Sequence, residues 1–121
     1  MTGNAAKRLV DEYLNAIESH DYGRARLLLA DQGFSYESPI SSFSSADDFM
    51  QHMSLLSGII HQIEHRKVFV DGHEVCHFLV FVTQLSDKES TKVVQWARIA
   101  DGRIQRIEVL FDAHWYKQML G

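Results

Sequence analysis

The sequence predicts a single α+β domain, 1–121, with helices in its first half and a curved antiparallel sheet in most of its second. Three observations predict it. Apolar residues recur at helical spacing up to about Ile60, and from Gln62 onward they gather in runs rich in Val, Ile, Phe and Trp. Two Asp-Gly pairs, Asp71-Gly72 and Asp101-Gly102, divide those runs as hairpin turns do. With 121 residues, folding removes roughly two thirds of the unfolded surface from water, enough for a core that needs no metal or disulfide.

Leu9, Val10, Tyr13, Leu14 and Ile17 share one helix side, which predicts a helix from about Ala5 to Ser19 with Asn4 as its cap. Asp21 caps a second helix carrying Ala25, Leu28 and Leu29, and Gly33 stops it. Phe34, Tyr36 and Ser38 alternate with Ser35 and Glu37 as a short strand ended by Pro39. Ser45 and Asp48 form a capping-box-like start to a third helix, whose buried side carries Phe49, Met50, Met53, Leu56 and Ile60. Residues 62–70, 73–85, 91–100 and 103–111 then form a four-stranded meander that must twist, and Trp115 to Leu120 closes the chain as a short helix.

If each Asp-Gly builds a three-residue loop, Val93, Gln95, Ala97 and Ile99 share an inner face with Ile107, Val109 and Phe111. The same rule groups Ile63 and His65 with Val75, His77, Leu79 and Phe81, whereas a two-residue loop turns Glu64 and Arg66 inward, which is costly to bury. Residues 75–82 are apolar on both faces. The outer face therefore needs a cover, and a homodimer through Phe78, Val80, Val82, Val94, Trp96 and Leu110 is expected.

A net charge of −4 with no basic run argues against nucleic acid as a partner. The N-terminus lacks an apolar signal core and no stretch approaches membrane-spanning length, so no membrane association is expected. The lone Cys76 fits a reducing, cytoplasmic setting and reads as a small buried hydrophobe.

The segments FSYESPI, FVDGHEV and WARIADGRIQRIEVLFDAHWYKQML resemble the SnoaL-like branch of the nuclear transport factor 2 and ketosteroid isomerase superfamily, over nearly the whole chain. The resemblance implies a cone-shaped α+β barrel, its sheet wrapped around the N-terminal helices with an internal pocket, and it implies frequent dimers. Tyr13 falls at the isomerases' oxyanion-binding tyrosine. Their aspartate base corresponds to Ser38 and their protonated acid to Gln95. A serine hydroxyl without a base cannot take a carbon-bound proton, so steroid isomerisation by that mechanism is not expected. The aspartates with which epoxide hydrolases of this fold hold water have no inward equivalent, since Val109 takes the matching place and Glu108 and Asp112 face away.

His65 and His77 are expected opposite each other across the first hairpin, facing the pocket. Three roles are open to them: acid/base work, neutral hydrogen-bonded structure, or metal binding, for which no inward carboxylate or thiolate completes a ligand set. His20, His52 and His114 read as solvated surface. No cofactor is expected. Tyr36, Ser38, Met53, Leu79, Gln95, Ile107 and Val109 join Tyr13, His65 and His77 as ligand contacts. Two functions follow. One is an enzyme-type site for a small, largely apolar molecule, with isomerase, cyclase or dehydratase-type acid/base chemistry by His77, His65 and Tyr13. The other is a non-catalytic dimeric binding or interaction domain with a plugged pocket.

Overall fold

The computed structural model describes residues 3–84 and 87–113. Helix α1 (Gly3–Glu18) buries Ala6, Val10, Tyr13, Leu14, Ala16 and Ile17, the stripe that the spacing predicts. Asn4 lies inside it and is not its cap. Helix α2 (Tyr22–Leu27) starts at Asp21, whose carboxylate accepts from the Arg24 amide at 3.2 Å. It stops at Leu27, well before Gly33, because the next residues are drawn onto the sheet. The Ile104 amide donates to the Leu28 carbonyl, and the Ala30 amide donates to the Ile104 carbonyl.

Strand β1 (Ser35–Glu37) is followed by β2 (Ser42–Phe43), a strand too short to show a period. Helix α3 (Ala46–Leu56) begins where the Asp48 amide reaches Ser45 Oγ, and a single 3₁₀ turn, Ser57–Ile59, ends it. The meander follows as β3 (Ile60–Asp71), β4 (Glu74–Gln84), β5 (Lys88–Ala100) and β6 (Arg103–Leu110). The six strands form one open sheet in the order β2-β1-β6-β5-β4-β3, antiparallel throughout except where β1 lies parallel to β6. This is the α+β cone that the sequence predicts. The expected helix from Trp115 to Leu120 lies outside the described residues.

The expected faces are observed, but the three-residue loops are not. Asp101 and Gly102 form a two-residue turn between paired Ala100 and Arg103, both with positive φ (52° and 77°), as a type I′ turn requires. A register shift beyond it, between the Arg98 and Ile99 pairings, leaves Gln105 unpaired and restores the parity that sets Gln95 against Val109 and Ala97 against Ile107. The first hairpin also turns through two residues, Gly72 (φ 59°) and His73, between paired Asp71 and Glu74. Arg66 bulges from β3, so Glu64 and Arg66 stay exposed while Ile63 is buried.

A second irregularity at His61 is held by α1. The Ile63 amide donates to Glu18 Oε2 at 2.6 Å, and His20 Nε2 donates to the Ile60 carbonyl at 3.0 Å, so His20 is not merely solvated surface. Because Glu18 satisfies a partly buried amide, Glu18→Ala should lower unfolding free energy by about 1 kcal/mol. Urea denaturation checks this; an unchanged midpoint would mean that water replaces the carboxylate.

Candidate functional site

Helices α1 and α3 and the sheet end remote from the two Asp-Gly hairpins line a cavity of about 150 Å³ that opens to solvent on one side. Its wall is mostly apolar: Leu14, Ile17, Phe49, Met53, Phe81, Val93, Val109 and Phe111 contribute to it. Among the polar side chains lining it are Tyr13, Tyr36, His52, Thr83 and Gln95. Tyr13, Tyr36, Met53, Gln95 and Val109 are therefore where the sequence places them.

Gln95 is 3% exposed, and its Nε2 has no hydrogen-bond partner among the described residues. A buried donor left unpaired costs about 1–3 kcal/mol, so its presence in an apolar wall asks for a reason. The amide is nearly symmetric in shape, and a half-turn of its last bond offers either N–H or carbonyl to the cavity. Burial, and then the neighbouring Tyr36 phenol, push the Tyr13 phenol well above its ordinary range, which keeps its hydroxyl a donor.

Among the described lining residues the imidazole is that of His52, which the sequence assigns to surface. Its ring lies against Phe43 with centroids 4.9 Å apart, and burial holds its pKa below the ordinary value. Three residues after Phe49 and next to Met53, it rides the flank of the buried stripe of α3, a position that a count of apolar residues misses.

His65, His77, Leu79, Ile107 and Ser38 are not among the lining residues. Leu79 and Ile107 are core, 1% and 0% exposed. Ser38 closes the turn between β1 and β2, its amide donating to the Ser41 carbonyl at 2.8 Å. His65 and His77 are not cross-strand partners either: His65 pairs with Leu79, and His77 with Val68. The Arg66 bulge lies between those pairings, and the two rings meet diagonally, edge to face, with centroids 5.4 Å apart.

What the pair does face is Asp11, the inward carboxylate that sequence reading misses. His77 Nε2 donates to Asp11 Oδ1 at 2.9 Å, His65 Nδ1 lies 3.7 Å from the same oxygen, and Lys7 Nζ holds Oδ2 at 2.7 Å. Burial works to raise the Asp11 carboxyl, but the hydrogen bonds and charges of Lys7 and His77 outweigh it and leave the pKa below its usual value. Burial likewise lowers the His77 imidazole despite Asp11. Residues 11 and 13 are about 200° apart around a helix, so Tyr13 looks into the cavity while Asp11 looks toward β3 and β4.

The sequence model of the family described as "Domain of unknown function (DUF8021)" matches residues 1–111. No curated protein matches the chain. Solved structures share the fold. The chain is similar to an NTF2-like protein of unknown function from Cytophaga hutchinsonii, 17% identical over 96% of this chain and 95% of that one, TM-score 0.79. It is similar to an LEH-like epoxide hydrolase of M. tuberculosis, 20% identical over 98% and 91%, TM-score 0.83. A protein assigned as a SnoaL-like polyketide cyclase from Jannaschia is 11% identical over 97% and 92%, TM-score 0.83. At these identities the likeness is one of fold.

Proposed function

This chain belongs to the DUF8021 family, and we propose that its NTF2-like cone binds a small, largely apolar, ring-sized molecule carrying one oxygen. The observation that carries this reading is the unpaired Gln95 amide in the apolar wall. A largely apolar cavity of about 150 Å³ is large enough to take up benzene. Within such a wall, one hydrogen-bonding group fixes orientation and selects a polar ligand atom. Tyr13 supplies a second donor. Cyclohexanone and methylenecyclohexane, alike in shape, test the reading by calorimetric titration. The ketone should bind about tenfold more tightly, the worth of one neutral hydrogen bond. Equal affinities, or no saturable binding, would overturn it.

Should the site also catalyse, the proton-transfer group is His52 rather than His65 or His77, because His52 is the imidazole among the described lining residues. Isomerase-, cyclase- or dehydratase-type chemistry then has a base, with Tyr13 and Gln95 stabilising charge on the ligand oxygen. His52 also gives the binding a pH dependence. Its pKa is depressed in the free protein and is depressed further when an apolar ligand displaces water from it. Affinity is therefore constant above the free-protein pKa and falls as pH drops through it, below about 6.5. Binding measured from pH 8 to pH 5 should show this loss, and His52→Phe should remove it; a flat wild-type profile speaks against His52 touching the ligand.

The same proposal includes a second copy of the chain on the outer sheet face, where Phe69, Phe78 and Leu110 are 55%, 42% and 60% exposed. Sedimentation at micromolar concentration should give twice the 13.9 kDa chain mass, and Leu110→Lys should give the monomer. A wild-type monomer would retire the dimer. No helix among the described residues is long and apolar enough to cross a membrane. The single cysteine, which leaves the chain no second thiol to pair with, supports placing the protein in the cytoplasm.

A further inference from the structure

From the cluster on the other side of α1 we infer that Asp11, His65 and His77 form a binding site for a zinc-class divalent metal ion, separate from the cone cavity. Their ligand atoms, one from each residue, all lie within 4.8 Å of one another. Nitrogen and oxygen ligands about 2.0–2.1 Å from a tetrahedral zinc are themselves roughly 3.3 Å apart. Asp11 Oδ1 is 2.9 Å from His77 Nε2 and 3.7 Å from His65 Nδ1, and with His77 packed in place it is the partly exposed His65 ring that swings inward to bring the set onto one ion.

Each ligand comes from a different element, and each is held. His77, on β4, is 1% exposed and packed in place. Asp11 is fixed by α1 and by Lys7, which bonds only Oδ2 and leaves Oδ1 for the ion. His65 stands beside the β3 bulge that turns it toward His77. The Asp11 and His65 side chains are 25% and 36% exposed, which gives the ion a way in and leaves a fourth position for water. Two imidazoles and one carboxylate suit zinc, cobalt or another first-row ion, whereas calcium and magnesium favour oxygen ligands. On binding, the neutral His77 ring changes tautomer, its single proton passing from Nε2 to Nδ1 by way of solvent, so that Nε2 presents its lone pair to the ion with no net release of a proton.

The test uses the full chain, treated with chelator and dialysed, then titrated with Co²⁺ and Zn²⁺. Wild type should take up one equivalent of Co²⁺ with the visible bands of a four-coordinate ion, and Zn²⁺ should displace it. Asp11→Asn and His65→Ala should each weaken binding at least about tenfold, no less than the loss seen when a supporting residue of a metal site is removed. The partly exposed His65 carries the test, since its replacement spares the core that His77→Ala opens; circular dichroism confirms that each variant is folded. Absence of saturable binding in wild type overturns the inference, as does a folded His65→Ala that binds as wild type does.

Discussion

Phe49→Ala should lower the unfolding free energy by about 3–5 kcal/mol, the range for removing a large buried aromatic side chain. Phe49 is 0% exposed and is the hub of an aromatic cluster. Its ring centroid lies 5.5 Å from Phe34, 4.2 Å from Tyr36 and 6.0 Å from Phe43. These contacts tie α3 to β1 and β2, and without them the short outer strands lose the wall they pack on. The urea midpoint should fall while the slope of the transition stays the same, which identifies a change in stability rather than in the surface exposed. A cost below about 1 kcal/mol would mean that the cluster closes over the gap. Phe49 would then not be what keeps the cavity wall in shape.

Gln95→Leu is expected to act in opposite directions on stability and on binding. It exchanges a buried amide for an apolar group of similar size and removes an unpaired donor, so the ligand-free protein should gain about 1–2 kcal/mol. Thermal melting should rise by several degrees for a chain of this length. The preference for cyclohexanone over methylenecyclohexane should shrink several-fold in the same variant, to what the Tyr13 hydroxyl alone sustains. Such a pattern separates a residue kept for binding from one kept for packing. Loss of stability in Gln95→Leu would show that the amide is satisfied in solution without any ligand.

The parts of this architecture legible in the sequence are those that periodicity carries. Tyr13 falls on the stripe of α1 because Val10, Leu14 and Ile17 share its side, and Gln95 falls on the inner face because strand alternation sets faces by parity. That parity holds although the turn that sets it differs from the expected three-residue loop. The two-residue turn at Asp101-Gly102 and the unpaired Gln105 together shift the register as a three-residue loop would. Parity distinguishes inward from outward but is silent about height along the cone. On β4, Phe81 and Thr83 reach the cavity, whereas Val75, His77 and Leu79 are inner-face residues outside its lining. Four residues of strand separate His77 from Phe81, about 13 Å, which is why His77 meets Asp11 instead of the cavity. Asp11 and His52 are illegible for a related reason: each sits at the margin of an apolar helix face, where apolar periodicity carries no information about a polar side chain. Strand β2 has two residues, too few for any period.

Nitrogen-15 NMR of the Gln95 side-chain amide during titration with cyclohexanone bears most directly on whether the cone holds an oxygen-bearing ligand. One Gln95 amide proton should move downfield saturably, with the dissociation constant found by calorimetry, while the surface Gln32 and Gln51 amides stay still. Saturable shifts at Val93 and Val109 with Gln95 unmoved would contradict the account, because the ligand would then occupy the cavity without using the amide to which its selection is assigned.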